Sequence, residues 1–280
     1  MLQELKGLYK ISRPVTTLTG ALAVLLGGYV AATGAWISIG LAVLATVLVS
    51  ASANTWNDYL DIEIDRINQP QRPLPSGQVK PRNALIFSLI LAGLSLLIGL
   101  FINLPALLII ILSNLLLFIY SWKLKSTVLL GNLIIAFISG MSAVFGGVAA
   151  GNPRPTIVLF VIIFVSILGR EVLKTMADYE GDLKESVRTI STVWGRRTAR
   201  FVFYILVIAT LITMLLPYIL SIYKPIYGYI VLLGVVPVII YIAFHVSRQR
   251  NGQQLERLSQ IMKYDFFLWF VAVILGASAI

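Results

Sequence analysis

The sequence predicts an all-α membrane protein, a polytopic bundle of nine transmembrane helices forming a single domain over residues 1–280. Composition is the first sign. Hydrophobic residues make up 58% of the chain and charged residues 12%, against about 45–50% and about 25% in an average soluble domain. The second sign is recurrence: apolar runs return along the whole length, near the roughly 20 residues needed to cross about 30 Å of hydrocarbon. The third is the placement of charge, which alternates with those runs.

Taken in order, the first run is 14–33, and Pro14 suits the first turn of a helix. The second is 37–60 and ends in a polar stretch. The third and fourth are 83–102 and 105–122, the latter opening at Pro105. The fifth, 128–149, stops before a turn made by Asn152, Pro153 and Pro155. The sixth to eighth are 156–176, 199–219 and 226–245, and a short ninth is 264–280. The first apolar run is followed by a second and a third, which argues against a cleaved signal.

Nine spans make a charge prediction that the sequence itself can check. The segments on the N-terminal side are 1–13, 61–82, 123–127, 170–200 and 246–263. They hold 20 of the 22 Lys and Arg residues, the exceptions being Arg154 and Lys224. The positive-inside tendency puts that side, with the N-terminus, in the cytoplasm and the C-terminus opposite. The net charge of +10 is therefore read as a topology signal and not as a nucleic-acid surface. Zero cysteines exclude thiolate nucleophiles and zinc–thiolate sites, and the single His245 excludes a histidine-rich metal centre. Phosphate-loop glycines are also absent, so nothing supports an ATP-driven reading.

All 12 acidic residues lie at the N-terminal side or just inside the adjoining span ends, and most of them fall in two clusters. In the first, Asn57, Asp61 and Asp65 fall at successive i,i+4 positions and share a helical face. Like charges there repel and are costly to desolvate. A divalent cation relieves both, and carboxylate and amide oxygens are suitable hard ligands for Mg²⁺. Asp58 and Glu63 point off this stripe. The following loop carries Arg66 and Arg72 among Pro70, Pro73 and Pro75, which supplies fork-shaped phosphate donors on a stiff segment.

The second cluster lies 117 residues beyond Asp61. Asp178 and Asp182 make another i,i+4 pair if the helix continues, Lys174 and Asp178 a second, and Gly181 is a possible early helix end. By charge parity both clusters share one face. Brought together, they would hold Mg²⁺ around a diphosphate and make ionisation of an allylic C–O bond possible. At the same face, Arg13, Tyr120, Lys123, Lys125 and Arg188 are candidate headgroup contacts, and each also suits an interfacial anchor.

Asn57-Asp58-xx-Asp61-xxx-Asp65, with Arg66 and the Arg72-Pro73-Leu74-Pro75-Ser76-Gly77 loop, resembles the first signature of the UbiA family of intramembrane prenyltransferases. Asp178-xxx-Asp182 resembles the second, and the likeness covers almost the full chain. It implies a helical bundle whose cavity opens to cytoplasm and lipid, with cap loops near 66–82 and 179–198. It implies that Asn57, Asp61, Asp65, Asp178 and Asp182 hold Mg²⁺-diphosphate. Positions resembling Arg13, Arg72, Tyr120, Lys125 and Lys174 would contact the diphosphate or position substrate, while Arg66, Lys123 and Arg188 stand as headgroup candidates on their charge and position alone.

Arg170-Glu171-Val172-x-Lys174 leading into Asp178 is most similar to the archaeal ether-lipid branch of that family. The implied partners are geranylgeranyl diphosphate and geranylgeranylglyceryl phosphate, within membrane lipid and without an obligate protein partner. Thr175 stands where related archaeal sequences often carry another Asp. The alternatives are transfer to an aromatic quinone precursor or a chlorophyllide, and a lipid or ion transporter. Transporters usually place coupled sites near the midplane, whereas these acids gather at one face.

Overall fold

A computed structural model of the chain describes residues 2–248 and 251–277. The end of the expected ninth span, 278–280, and positions 249–250 of the expected 246–263 segment lie outside the described residues. Everything regular among the described residues is helical. In order, the helices are α1 (Leu2–Ile11), α2 (Pro14–Val30), α3 (Trp36–Leu60), α4 (Ile62–Asn68) and α5 (Pro81–Leu100). Next come α6 (Leu104–Leu124, whose last turn Tyr120–Leu124 is a π-helix), α7 (Leu130–Ala149), α8 (Thr156–Ala177), α9 (Tyr179–Lys184) and α10 (Ile190–Val193). The chain closes with α11 (Gly195–Ile219), α12 (Pro225–Arg248) and α13 (Gly252–Gly276).

Eight of these helices are long and apolar enough to cross a membrane, and α2 is a ninth apolar helix of 17 residues. The chain is a multi-pass membrane protein. Its outward faces confirm the composition argument: Ile205, Ile208 and Ile212 on α11 are each at least 50% exposed. In water such faces would be costly; in lipid they match their solvent. The ninth expected span begins earlier than hydropathy suggests. α13 opens at Gly252 because Leu255, Leu258 and Met262 form a buried stripe with helical spacing among polar neighbours.

The chain divides into two compact units, residues 1–125 with 142–154, and residues 126–141 with 155–280. In the first unit, Val24, Ala42, Ala45, Val49, Ala106, Ile110 and Phe145 form a core between α2, α3, α6 and the end of α7. Small residues let these backbones approach. A Cβ added at Gly146 would overlap the backbone of α2 at Val24 and Gly28. Asn114 donates to Ser95 Oγ at 3.1 Å, so this buried amide ties α6 to α5. A smaller core of Ile11, Leu74, Val79 and Ala84 fastens the loop after α4 beneath α1. α1 itself had no apolar run long enough to announce it.

In the second unit α8 packs on α11 and α13, and α12 packs on α13. The buried Trp269 of α13 donates to Tyr227 Oη at 3.2 Å, and Tyr227 donates to the Met214 carbonyl at 2.7 Å. Three helices are thereby joined without an orphaned aromatic dipole.

Candidate active site

Two helix ends are built alike. α3 stops at Leu60, Asp61 takes φ −87° and ψ 4°, and α4 resumes at Ile62. α8 stops at Ala177, Asp178 takes φ −86° and ψ 2°, and α9 resumes at Tyr179. The same bridge conformation occurs at other helix ends here, including Trp194 between α10 and α11; these two breaks differ in carrying an Asp with an i,i+4 acid beyond it. The i,i+4 pairing continues across each break. Asp65 N–H donates to the Asp61 carbonyl at 2.8 Å, and Asp182 N–H to the Asp178 carbonyl at 2.9 Å. The expected spacing of both acidic pairs therefore survives. Gly181 lies within α9 and does not end it.

In the first unit each carboxylate of the first motif has a positive partner. Asn57 Nδ2 donates to Asp61 Oδ2 at 2.9 Å, and Lys125 pairs with the same oxygen. The π turn delivers that lysine: Lys125 N–H reaches back five residues to the Tyr120 carbonyl at 2.8 Å. Asp65 is buried and accepts from Arg72 at 2.7 Å. The same guanidinium lies 3.9 Å from Asp58, which is only 4% exposed and also pairs with Arg13.

Arg13 holds φ 50°, a left-handed conformation that costs a non-glycine residue roughly 1–2 kcal/mol. Its ion pair with Asp58 helps offset that strain. Asn54 steadies the same turn by donating to the Ser12 carbonyl at 3.0 Å. Two expected contacts lie elsewhere. Arg66 pairs with exposed Glu63 at 2.9 Å, and Lys123 sits over the Trp122 ring at 4.1 Å.

The second unit differs in its charge balance. Lys174 pairs with Glu171 at 3.2 Å, and Arg170 reaches the same carboxylate at 3.4 Å. Asp178 and Asp182 form no ion pair among the described residues. Burial pushes Asp182 up to about 6, helped by the charges of Asp178 and Glu185 and only partly opposed by Thr189. Asp178 meets solvent through an open cavity, yet the protein packed around it desolvates it and raises its pKa. Lys174 opposes that rise, while Glu256 and Glu171 add to it. This motif is short of positive charge, and that shortage is what a divalent cation would supply.

The cavity beside Asp178 has a volume of about 800 Å³ and is also lined by Arg196, Glu256 and Arg257. The loop after α9 is fastened by Thr175, which bonds Ser191 Oγ at 2.9 Å, and by a reciprocal cap between Thr189 and Thr192. Arg188 is exposed on that loop.

The oxygen donors fit Mg²⁺ in kind: four carboxylates and the Asn57 amide, with hard-ligand character. Among the described residues no three acidic or histidine side chains form a ready-made metal centre. In the first motif arginine and lysine occupy the carboxylates instead. Two functional candidates escaped sequence reasoning. Asp58 stands off the stripe through Asn57 and Asp61, yet its i,i+7 spacing from Asp65 places both on one face. Glu256 carries no sequence signal, because only tertiary packing brings α13 to Asp178.

The profile described as UbiA prenyltransferase family matches residues 21–271. A digeranylgeranylglyceryl phosphate synthase of Methanosphaera stadtmanae is 34% identical over 268 residues, covering 96% of this chain and 98% of that protein. One of Methanocaldococcus jannaschii is 35% identical over 280 residues, covering 99% and 98%. A solved structure of a digeranylgeranylglyceryl phosphate synthase superposes with a TM-score of 0.83 at 33% identity, covering 99% of both chains. A UbiA homolog from Archaeoglobus fulgidus bound to GPP and Mg²⁺ shares the fold, with a TM-score of 0.71 at 19% identity over 94% of this chain and 99% of that one.

Proposed function

This chain belongs to the UbiA prenyltransferase family, and we propose that it transfers a geranylgeranyl group from geranylgeranyl diphosphate to geranylgeranylglyceryl phosphate. The product carries the second ether bond of an archaeal membrane lipid. The observation that carries the chemistry is the pair of matched helix breaks, each placing an Asp and its i,i+4 partner at a helix end. Full-length likeness to relatives named for this reaction supports the acceptor. The two arginines that line the cavity beside the second motif favour a phosphorylated acceptor over a flat aromatic one.

In this reading Asn57, Asp61, Asp65, Asp178 and Asp182 would hold Mg²⁺, an ion also bound, with GPP, by the Archaeoglobus fulgidus homolog. Bound there, the metal would supply Lewis acidity toward the diphosphate leaving group. Arg13, Arg72 and Lys125, no longer needed by the carboxylates, donate to the headgroup's oxygens. Lys174 adds a fourth positive charge from the second motif. The C1–O bond to diphosphate breaks, C1 bonds to the acceptor's hydroxyl oxygen, and the hydroxyl proton is lost as diphosphate leaves. The loops at 66–82 and 179–198 cap the site against water. The N-terminus and site mouth face the cytoplasm, as the basic residues direct.

The test is turnover of the purified enzyme with glyceryl phosphate, quinone-precursor and chlorophyllide acceptors, with and without Mg²⁺. Asp61→Asn and Asp178→Asn are each expected to lower turnover on the order of 10²–10³-fold, the scale seen when one group stabilising developing charge is removed. Unchanged turnover in both variants refutes the catalytic assignment. Prenylation of an aromatic acceptor alone overturns the acceptor.

A further inference from the structure

We infer that the cavity at the end of α8 is the subsite for the acceptor's phosphate, with Arg196 and Arg257 as its specificity-determining residues. The inference rests on the glyceryl phosphate reading above. Its size is suitable, since about 800 Å³ falls within the usual range for a small-molecule pocket of roughly 300–1,000 Å³.

Two long helices begin at this cavity. Asn251, Gly252 and Gln253 open α13, and Arg196 is the second residue of α11; each helix runs 25 residues. Helix N-termini carry partial positive charge and favour phosphate. Gly252 makes the arrangement possible: a Cβ there would overlap the Ala177 carbonyl, immediately before Asp178. Only a residue without a side chain lets the start of α13 press against the end of α8.

The guanidinium groups add directed donors. Arg196 lies over the Tyr179 ring at 5.1 Å, and both residues line the cavity. Arg257, one turn into α13, is exposed and makes no hydrogen bond or ion pair among the described residues. Such forked donors match phosphate oxygens better than lysine does. The cavity's charged lining is Asp178, Glu180 and Glu256 against Arg196 and Arg257, one net negative charge. A divalent cation on Asp178 turns that to one positive charge, so an anionic acceptor is favoured once metal is bound.

The position also suits the chemistry. In a glyceryl phosphate acceptor the free hydroxyl sits on the carbon next to the one bearing phosphate. Fixing the phosphate here brings that hydroxyl to Asp178, where the metal-bound diphosphate would leave. An acceptor without phosphate gains nothing from either arginine.

The experiment compares geranylgeranylglyceryl phosphate with its phosphate-free glycerol ether, using the full-length enzyme and its Arg196→Gln, Arg257→Gln and double variants. Each single change is expected to raise KM for the phosphorylated acceptor about 10- to 100-fold, the scale of one charge-assisted contact. KM for prenyl diphosphate should move far less, and preference for the phosphorylated acceptor should vanish in the double variant. Arg257→Lys, which keeps charge without the fork, should recover part of the loss and serves as a folding control. Equal losses on both acceptors, or an unchanged KM in the double variant, overturn the assignment. A wild-type enzyme that ignores glyceryl phosphate acceptors fails at the functional reading instead, so the two failures are told apart.

Discussion

Replacing Arg72 by Gln separates the two jobs assigned to that residue, countering buried carboxylates and gripping a headgroup. Asp65 has a side chain only 7% exposed and loses its ion-pair partner in this variant, while Asp58 keeps Arg13. Breaking a buried pair from one side costs about 3–5 kcal/mol. Arg72 itself is 27% exposed, so a smaller loss of about 2–4 kcal/mol is expected in chelator. Mg²⁺ at a hundred times its Kd stabilises a site by about 2.7 kcal/mol. It should help the variant more than the wild type, because the wild type must first break the Arg72–Asp65 pair.

The assay is thermal unfolding in detergent, followed by tryptophan fluorescence, with and without Mg²⁺. The gap between the two proteins should shrink to below about 1 kcal/mol with metal, through coupling of metal and arginine at one carboxylate. An equal gap in both conditions, or none in chelator, refutes the reasoning.

Lys125→Gln removes a partner of Asp61 and a proposed headgroup donor. Its kcat/KM for prenyl diphosphate should fall about 10- to 100-fold while acceptor KM holds, as steady-state kinetics would show. Acid should weaken metal binding, because Asp182, at about 6, must lose its proton to bind metal. Apparent Mg²⁺ affinity, measured by calorimetry, is expected to drop up to about tenfold per unit below pH 6 and level off above it. In chelator the sign reverses. Between the ordinary carboxylate value and 6 the folded state holds a proton that the unfolded state has released, so this group's contribution to stability falls as pH rises through that window. Gly146→Ala places a methyl into the backbone of α2 and should cost roughly 1–3 kcal/mol or more, read as a lower unfolding midpoint.

The membrane spans were legible because each is a local property: a run of apolar residues of sufficient length with charge on the flanks. What hydropathy misplaced was decided by neighbours. The first turns of α13 are polar in composition and helical because Leu255, Leu258 and Met262 find a core to cover. α1 is too short to read alone and is placed by Ile11 against Leu74 and Val79.

At the site, i,i+4 spacing correctly joined Asn57 to Asp61, since their side chains do bond. The break at Asp61 is a backbone event that spacing does not reveal. A stripe drawn through Asn57 and Asp61 leaves Asp58 to one side. The fold brings it into the network from two sides, through its ion pair with Arg13 and the loop's return that carries Arg72 to 3.9 Å from it. Glu256 and Arg257 lie more than 70 residues beyond Asp178, and the approach of α13 to α8 through Gly252 is invisible without the fold.

The most direct measurement is anomalous diffraction from crystals grown with Mn²⁺ in place of Mg²⁺ and an unreactive prenyl diphosphate analogue. The account predicts manganese at Asp61 and at Asp178, with one diphosphate bridging the two. Metal held by a single motif, or two occupied motifs with no shared headgroup, would contradict it.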